Sequence, residues 1–208
     1  MKFYLLKMIT ERRHIVGFIE DFYPLLVLRC ELVCAVIMIF LITISRLYRI
    51  SNGSRSFEKI LWFGFGHIIF DIITVLTVNL SGKSEVINLV EVLTTDKRYG
   101  FTDMLNWICH IIFYIFALLF LFEFFCYIVN MCFSKKVYDL CKSIGILAIV
   151  IYAAVSPFLE MDFIDTQNGT HSSYGVAAFV GYGLGVVFII ASFAIVLFKS
   201  KDQNIRIK

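Results

Sequence analysis

Five times along this chain an apolar run reaches the length needed to cross a lipid bilayer, and no other feature limits its folding so tightly. A spanning helix takes about 20 mostly apolar residues, at 1.5 Å rise each, to cover about 30 Å of hydrocarbon. The runs cover residues 25–48, 60–80, 107–132, 144–159 and 174–198. The fourth is short, at 16 residues, and the fifth carries no charge. All are continuous rather than alternating. That selects helices over a barrel, because in lipid every backbone N–H and C=O must be paired within the structure. Composition agrees: 60% of the 208 residues are hydrophobic and 17% are charged, against about half and a quarter in an average soluble domain. A soluble core of this size has no room for 22 phenylalanines. Disorder, a coiled coil and a disulfide-rich secreted scaffold are excluded. The sequence predicts an all-α fold, a polytopic transmembrane helix bundle of about five spanning helices, forming one domain over residues 24–199.

Two segments flank the bundle. In residues 1–23, Leu5, Met8, Ile9, Ile15, Val16, Ile19, Phe22 and Tyr23 fall on one arc at 100° per residue, with Lys7, Glu11, His14, Glu20 and Asp21 opposite. This reads as an amphipathic helix on the membrane surface, with a poorly ordered terminus as the alternative. It is not a signal peptide, since Lys7 and Glu11-Arg12-Arg13 interrupt any apolar core. Residues 200–208 form a basic tail. Lysine and arginine concentrate in the first connection (Arg46, Arg49, Arg55, Lys59), the third (Lys135, Lys136, Lys142) and the tail (Lys199, Lys201, Arg206, Lys208). The 160–173 connection has only Glu160, Asp162 and Asp165 as charged residues. The positive-inside rule then gives a cell-membrane protein with a cytoplasmic C-terminus and, after five crossings, an outside N-terminus. Lys2, Lys7, Arg12 and Arg13 oppose that last step. The 26-residue connection 81–106 has room for a short helix near residues 86–93.

Ionisable side chains at membrane depth are costly, and they face the bundle interior or a cavity. Asp71 lies about 16 Å from Ile60, and Glu123 about 14 Å from Cys132, at 1.5 Å per residue. His67 and Thr74 share a face with Asp71, and Tyr127 and Asn130 share one with Glu123. His67, Asp71, Thr74, Glu123 and Tyr127 are therefore one candidate site for a small ligand, a proton or an ion. Two neighbouring carboxylates in a low dielectric would not both ionise. The alternative is interhelical hydrogen bonding that only sets packing. A second candidate group, toward the outside, consists of Arg29, Glu31, Asn106, His110 and Tyr114, with Trp107 as an interface anchor; ordinary headgroup-level chemistry is its alternative. Gly181, Gly183 and Gly185 either break the fifth helix or let another helix come close.

The six cysteines lie mostly within the helices, as small hydrophobes rather than a disulfide framework. Cys132 and Cys141 are placed for acylation in a host that performs it. Asn168-Gly-Thr is the best placed of three glycosylation acceptor patterns. No catalytic elbow, zinc-protease motif, phosphate-binding glycine loop or CxxC pair is present. The expectation is a chain with no enzymatic activity, no metal site, no cofactor and no nucleic-acid partner, acting through a protein partner or as a homo-oligomer.

The second run, Phe65-Gly-His-Ile-Ile-Phe-Asp-Ile-Ile-Thr-Val-Leu-Thr-Val-Asn79, resembles the intramembrane "D-I-x-T…N" segment of multi-helix sensory regions that precede diguanylate cyclase (GGDEF) domains in clostridial-type bacteria. Leu105-Asn-Trp with His110-Ile-Ile-Phe113 is similar to the following helix of those regions. Tyr174-Gly-Val is similar to a later helix entry that carries proline, which is absent here. The resemblance covers residues 32–198. It implies a bacterial membrane sensor that signals to an output domain, here stand-alone or truncated, because the sequence runs to Lys208 without the cyclase and with fewer crossings than the family's seven. It carries over no catalytic residue. Two further readings stay open: a small transporter or channel subunit using the Asp71, His67 and Glu123 group, and a eukaryotic multispan scaffold.

Overall fold

A computed structural model describes residues 31–46, 53–81, 88–94, 100–165 and 171–200. The expected surface helix at 1–23, Arg29 and the tail beyond residue 200 lie outside the described residues. Helix α1 covers residues 31–46. It is followed by α2 (Gly53–Ser81), the short α3 (Leu89–Thr94), α4 (Phe101–Cys132) and α5 (Lys135–Val155), which runs into a 3-10 turn at Ser156–Phe158. Strands β1 (Asp162–Asp165) and β2 (His171–Tyr174) then precede α6 (Val176–Ser200). Among the described residues, four helices, within α2, α4, α5 with its 3-10 turn, and α6, are long and apolar enough to cross a membrane, and the first expected run, 25–48, lies partly outside them. The fold is an all-α polytopic helix bundle.

The helices outrun the apolar stretches that announce them. Helix α2 begins at Gly53 rather than near residue 60, and α5 begins at Lys135 rather than near 144. Polar first turns cost a helix little when long Lys and Arg side chains reach back to the membrane boundary. At the other end of α5, Pro157 has no N–H to donate and its ring opposes a further α-helical turn. Helix α4 starts where the Asp103 carboxylate accepts the Gly100 N–H at 3.0 Å. A carboxylate in a first turn also meets the positive end of the helix dipole.

The 160–173 connection is not bare loop. β1 and β2 pair antiparallel, with Asp162 opposite Tyr174 and Asp165 opposite His171. The chain leaves this hairpin at Gly175, whose φ is +116°. A Cβ there would lie 2.5 Å from the Glu160 carbonyl oxygen, so both the backbone angle and the space require glycine. Met161, next to the hairpin, is fully buried.

Helix α4 is the hub, packed by α2 on one side and by α5 and α6 on the other. Its residues Tyr114, Leu118, Phe122 and Cys126 recur every fourth position, and all are buried. That spacing is one face of a 3.6-residue helix. Phe122 and Phe125 both meet Phe188 of α6, with ring centroids 5.5 and 5.8 Å apart. Phe116 meets Phe63 and Phe70 of α2 at 6.3 and 5.4 Å. Helix α1 lies along α2, held at the Gly53 end by the Arg46–Glu58 ion pair at 3.1 Å and by the Arg46 guanidinium 5.3 Å from the Trp62 ring centroid. Outside this core, large side chains such as Val36, Phe40, Ile144, Ile190 and Phe193 are exposed. So broad an apolar surface suits lipid and not water.

Helix α6 continues unbroken through its glycines. Gly181 faces Tyr152 and Gly185 faces Leu121, whereas Gly183 has nothing within 4 Å. Small residues here admit neighbouring helices. Trp107 likewise departs from expectation: it sits in the hydrophobic core rather than at a membrane boundary.

Candidate functional site

The α2 sequence places His67, Asp71, Thr74 and Thr77 at steps of four, three and three, which is one helical stripe. Helix α4 answers with Asn106 and His110, one turn apart. Two contacts fix how the stripes meet. The Thr77 hydroxyl donates to Asn106 Oδ1 at 2.8 Å, with both residues buried. The His67 ring lies against Phe113, centroids 4.4 Å apart and planes inclined by 34°. His110 is also buried, and its Nδ1 lies 2.9 Å from the Asn106 carbonyl oxygen. A carbonyl can only accept, so this imidazole carries a proton on Nδ1.

Helix α1 completes the group. Glu31 is close enough to Asp71 for their carboxyl groups to interact electrostatically, and Asp71 is equally close to His67. Two atoms of this cluster are buried without a hydrogen-bond partner, Glu31 Oε2 and His67 Nδ1. A buried polar atom left unpaired costs about 1–3 kcal/mol. An otherwise apolar bundle thus holds two carboxyl groups and an imidazole together with spare hydrogen-bonding capacity.

This regroups the two sets of residues expected from the sequence. His67, Asp71 and Thr74 come together with Glu31, and the Thr77–Asn106 bond and His110 continue the same column. Tyr114 is buried beside them, edge-on to Phe113 and to Tyr182 of α6 at 5.2 Å each. Glu123 and Tyr127 do not join. Asp71 lies 18 residues from Gly53, about 27 Å, whereas Glu123 lies nine residues from Cys132, about 14 Å. The His67–Phe113 stack agrees, since Glu123 is ten residues further along α4, about 15 Å away. Equal depth followed only from counting α2 from Ile60. Glu123 instead lies close enough to Cys126 to act on it electrostatically, as Lys59 and Lys142 each do, with Tyr127 half-buried one turn further on. Two contributors escaped the sequence reading. Thr77 extends the stripe by one more step and could have been found by continuing the spacing. The proximity of Glu31 to Asp71 had no local signal.

Beside the cluster lies a groove of about 370 Å³. Phe113, Tyr114, Ala117, Leu118, Phe120 and Leu121 of α4 line it. One wall is His67 of α2, and the other is Gly181, Tyr182, Gly185, Val186 and Ile189 of α6. Helices α2 and α6 each pack chiefly on α4, which leaves this furrow between them. Among the described residues, no group of three or more His, Cys, Asp or Glu side chains is arranged to hold a metal ion.

Compared with known proteins, the chain matches no family model, no curated protein and no solved structure.

Proposed function

We propose that this chain is a membrane sensory module that binds a small ligand within its helix bundle and acts through a protein partner. The observation that carries the reading is the confinement of the Glu31, Asp71 and His67 cluster to the stretch of the bundle from the middle of α2 toward Ser81. Toward the Gly53 end, Phe63, Phe116, Phe120 and Phe122 fill the space around α4, and the next acidic group on that helix, Glu123, lies about 15 Å beyond the level of His67. Conduction or proton transfer across a bundle needs polar groups or water along the whole route. A polar cluster that stops partway suits a binding site. The likeness of 65–79 to sensory regions of diguanylate cyclases supports the same reading. On it, the basic residues of the first and third connections and of the tail mark the cytoplasmic face, where the partner docks.

The competing reading is a small transporter in which the cluster carries protons. It is tested with the full chain in proteoliposomes loaded with a pH-sensitive dye, under an imposed membrane potential. A sensory module gives dye traces that match protein-free vesicles. Proton flux that disappears in Asp71→Asn overturns the proposal.

A further inference from the structure

Between Lys142 and Lys199 the chain carries no lysine or arginine, yet it holds three carboxylates, Glu160, Asp162 and Asp165. A recess of about 450 Å³ opens where this stretch turns from the hairpin into α6, and Glu160, Tyr174, Phe179 and Tyr182 are among the residues that line it. Small-ligand sites usually measure about 300–1,000 Å³. Backbone contacts fix the frame of the recess. The Glu160 carbonyl accepts the Ala177 N–H at 3.2 Å, and the Gly175 carbonyl accepts the Phe179 N–H at 3.0 Å. Phe179 and Tyr182, three apart, share a face of α6. The Tyr182 ring stands edge-on to the buried Tyr114, with centroids 5.2 Å apart. We infer that this recess binds a trimethylammonium group, carried by a soluble organic cation of the choline kind. It shares only Tyr182 with the groove beside His67, and it does not rest on the sensory reading.

The lining selects the charge first. Glu160 is exposed and, among the described residues, makes no ion pair, so its carboxylate is free to meet a cation. Aromatic faces attract the same charge through the ring quadrupole, within about 6 Å of a centroid. Elsewhere in the chain such rings already carry a cation: Trp62 has Arg46, Tyr138 has Lys142 and Phe133 has Lys199. Tyr174, Phe179 and Tyr182 are 64%, 81% and 58% exposed, and residues 143–198 offer no lysine or arginine to cover them. The kind of cation follows from the rest of the lining. A metal ion needs several oxygen ligands, and a primary ammonium has three N–H groups to satisfy. Here a single carboxylate stands among ring and aliphatic carbon. A trimethylammonium group has no N–H to leave unpaired, and its charged methyl shell suits aromatic faces. A phosphocholine lipid would bring its phosphate against the same carboxylate, with no basic residue from this stretch to meet it. A free cation avoids that repulsion.

The full chain in maltoside micelles, which contain no ammonium group, is titrated calorimetrically with choline. Saturable binding at one site per chain is expected. Dimethylbutanol, the uncharged isostere of choline, should bind about tenfold more weakly or worse, since it loses both the carboxylate and the ring attraction. Glu160→Gln changes an exposed side chain and should weaken choline about fivefold. Phe179→Leu and Tyr182→Leu should each weaken it about two- to fivefold, whereas Tyr174→Phe, which keeps the ring, should leave it unchanged. Each variant is first shown to keep wild-type helicity and size. No saturable binding of choline overturns the inference. So does dimethylbutanol binding as tightly as choline, which would mark a merely apolar recess, or a Glu160→Gln variant with wild-type affinity. Tighter binding of a short-chain phosphatidylcholine, kept below its micelle-forming concentration, would overturn the soluble source in favour of a lipid headgroup. In every case the sensory reading stands, because it is judged by the proton-flux result alone.

Discussion

Two glycines should respond to the same substitution with opposite sign. Gly145 of α5 and Gly183 of α6 are both in mid-helix, where alanine is preferred over glycine by about 1 kcal/mol. At Gly183 a Cβ meets nothing within 4 Å, so Gly183→Ala should leave stability unchanged or raise it by up to about 1 kcal/mol. At Gly145 the added carbon would overlap the Phe122 ring, lying 2.7 Å from its Cδ2 and closer still to Cε2. That ring has no easy retreat. It is 2% exposed and backed by Phe188 at 5.5 Å between centroids. Overpacking costs about 1–3 kcal/mol, and so close an approach to a ring with no room to move calls for the upper half of that range, which outweighs the helix preference and leaves a net loss of about 1–2 kcal/mol for Gly145→Ala. Gly145→Leu should cost well beyond that. Shrinking the opposing residue in the double variant Gly145→Ala, Phe122→Leu should recover part of the loss. The assay is reversible unfolding in mixed micelles by denaturing detergent, followed by circular dichroism. A Gly145→Ala variant as stable as the wild type, or a Gly183→Ala variant destabilised as much as it, would refute close α4–α5 packing at Phe122.

Further outcomes follow from other contacts. A double-mutant cycle on Thr77→Val and Asn106→Leu, read in the same unfolding assay, should give a coupling of about 0.6 kcal/mol and no more than about 1.7; zero coupling would mean the two side chains do not meet. Cys126 lies one turn after Phe122, and Cys141 one turn before Gly145, so the two thiols share the interface at which those residues touch. Mild oxidation followed by tryptic cleavage should yield a disulfide-linked peptide pair containing both, and its absence would contradict this register. If the Glu31–Asp71 cluster serves ligand binding rather than packing, Asp71→Asn should unfold no more easily than the wild type, because an ionisable group at this depth costs about 2.5–3.5 kcal/mol that the amide avoids in part. Easier unfolding of the variant would assign Asp71 a structural role.

Four of the five expected spans were legible because an apolar run of membrane length has few alternatives. Their ends were not, because hydropathy falls before the helix does. In α2 the seven residues Gly53–Lys59 are polar in part yet helical, and leaving them out moved Asp71 to the depth of Glu123. The hairpin was invisible for a different reason. Asp162-Phe-Ile-Asp and His171-Ser-Ser-Tyr show no strict alternation and run only four residues each, too short for periodicity to speak.

The misplaced site carries a more general lesson about bundles. The helical stripe of His67, Asp71 and Thr74 could be read from one segment, since i and i+4 share a face whatever surrounds them. Which partners that stripe meets depends on the axial register between helices, and register comes from packing: Phe116 against Phe70, Thr77 against Asn106, Met38 against Gly64. Each of these contacts sets α1, α2 and α4 at heights that no single segment encodes. A shift of seven residues, about 10 Å along the axis, is enough to exchange Glu123 for Glu31 as the second carboxylate. That exchange changes the chemistry. With Glu31, the ionisable groups Glu31, Asp71 and His67 gather together, and His67 borders a groove open along the flank of the bundle, the arrangement from which the proposed ligand site is argued.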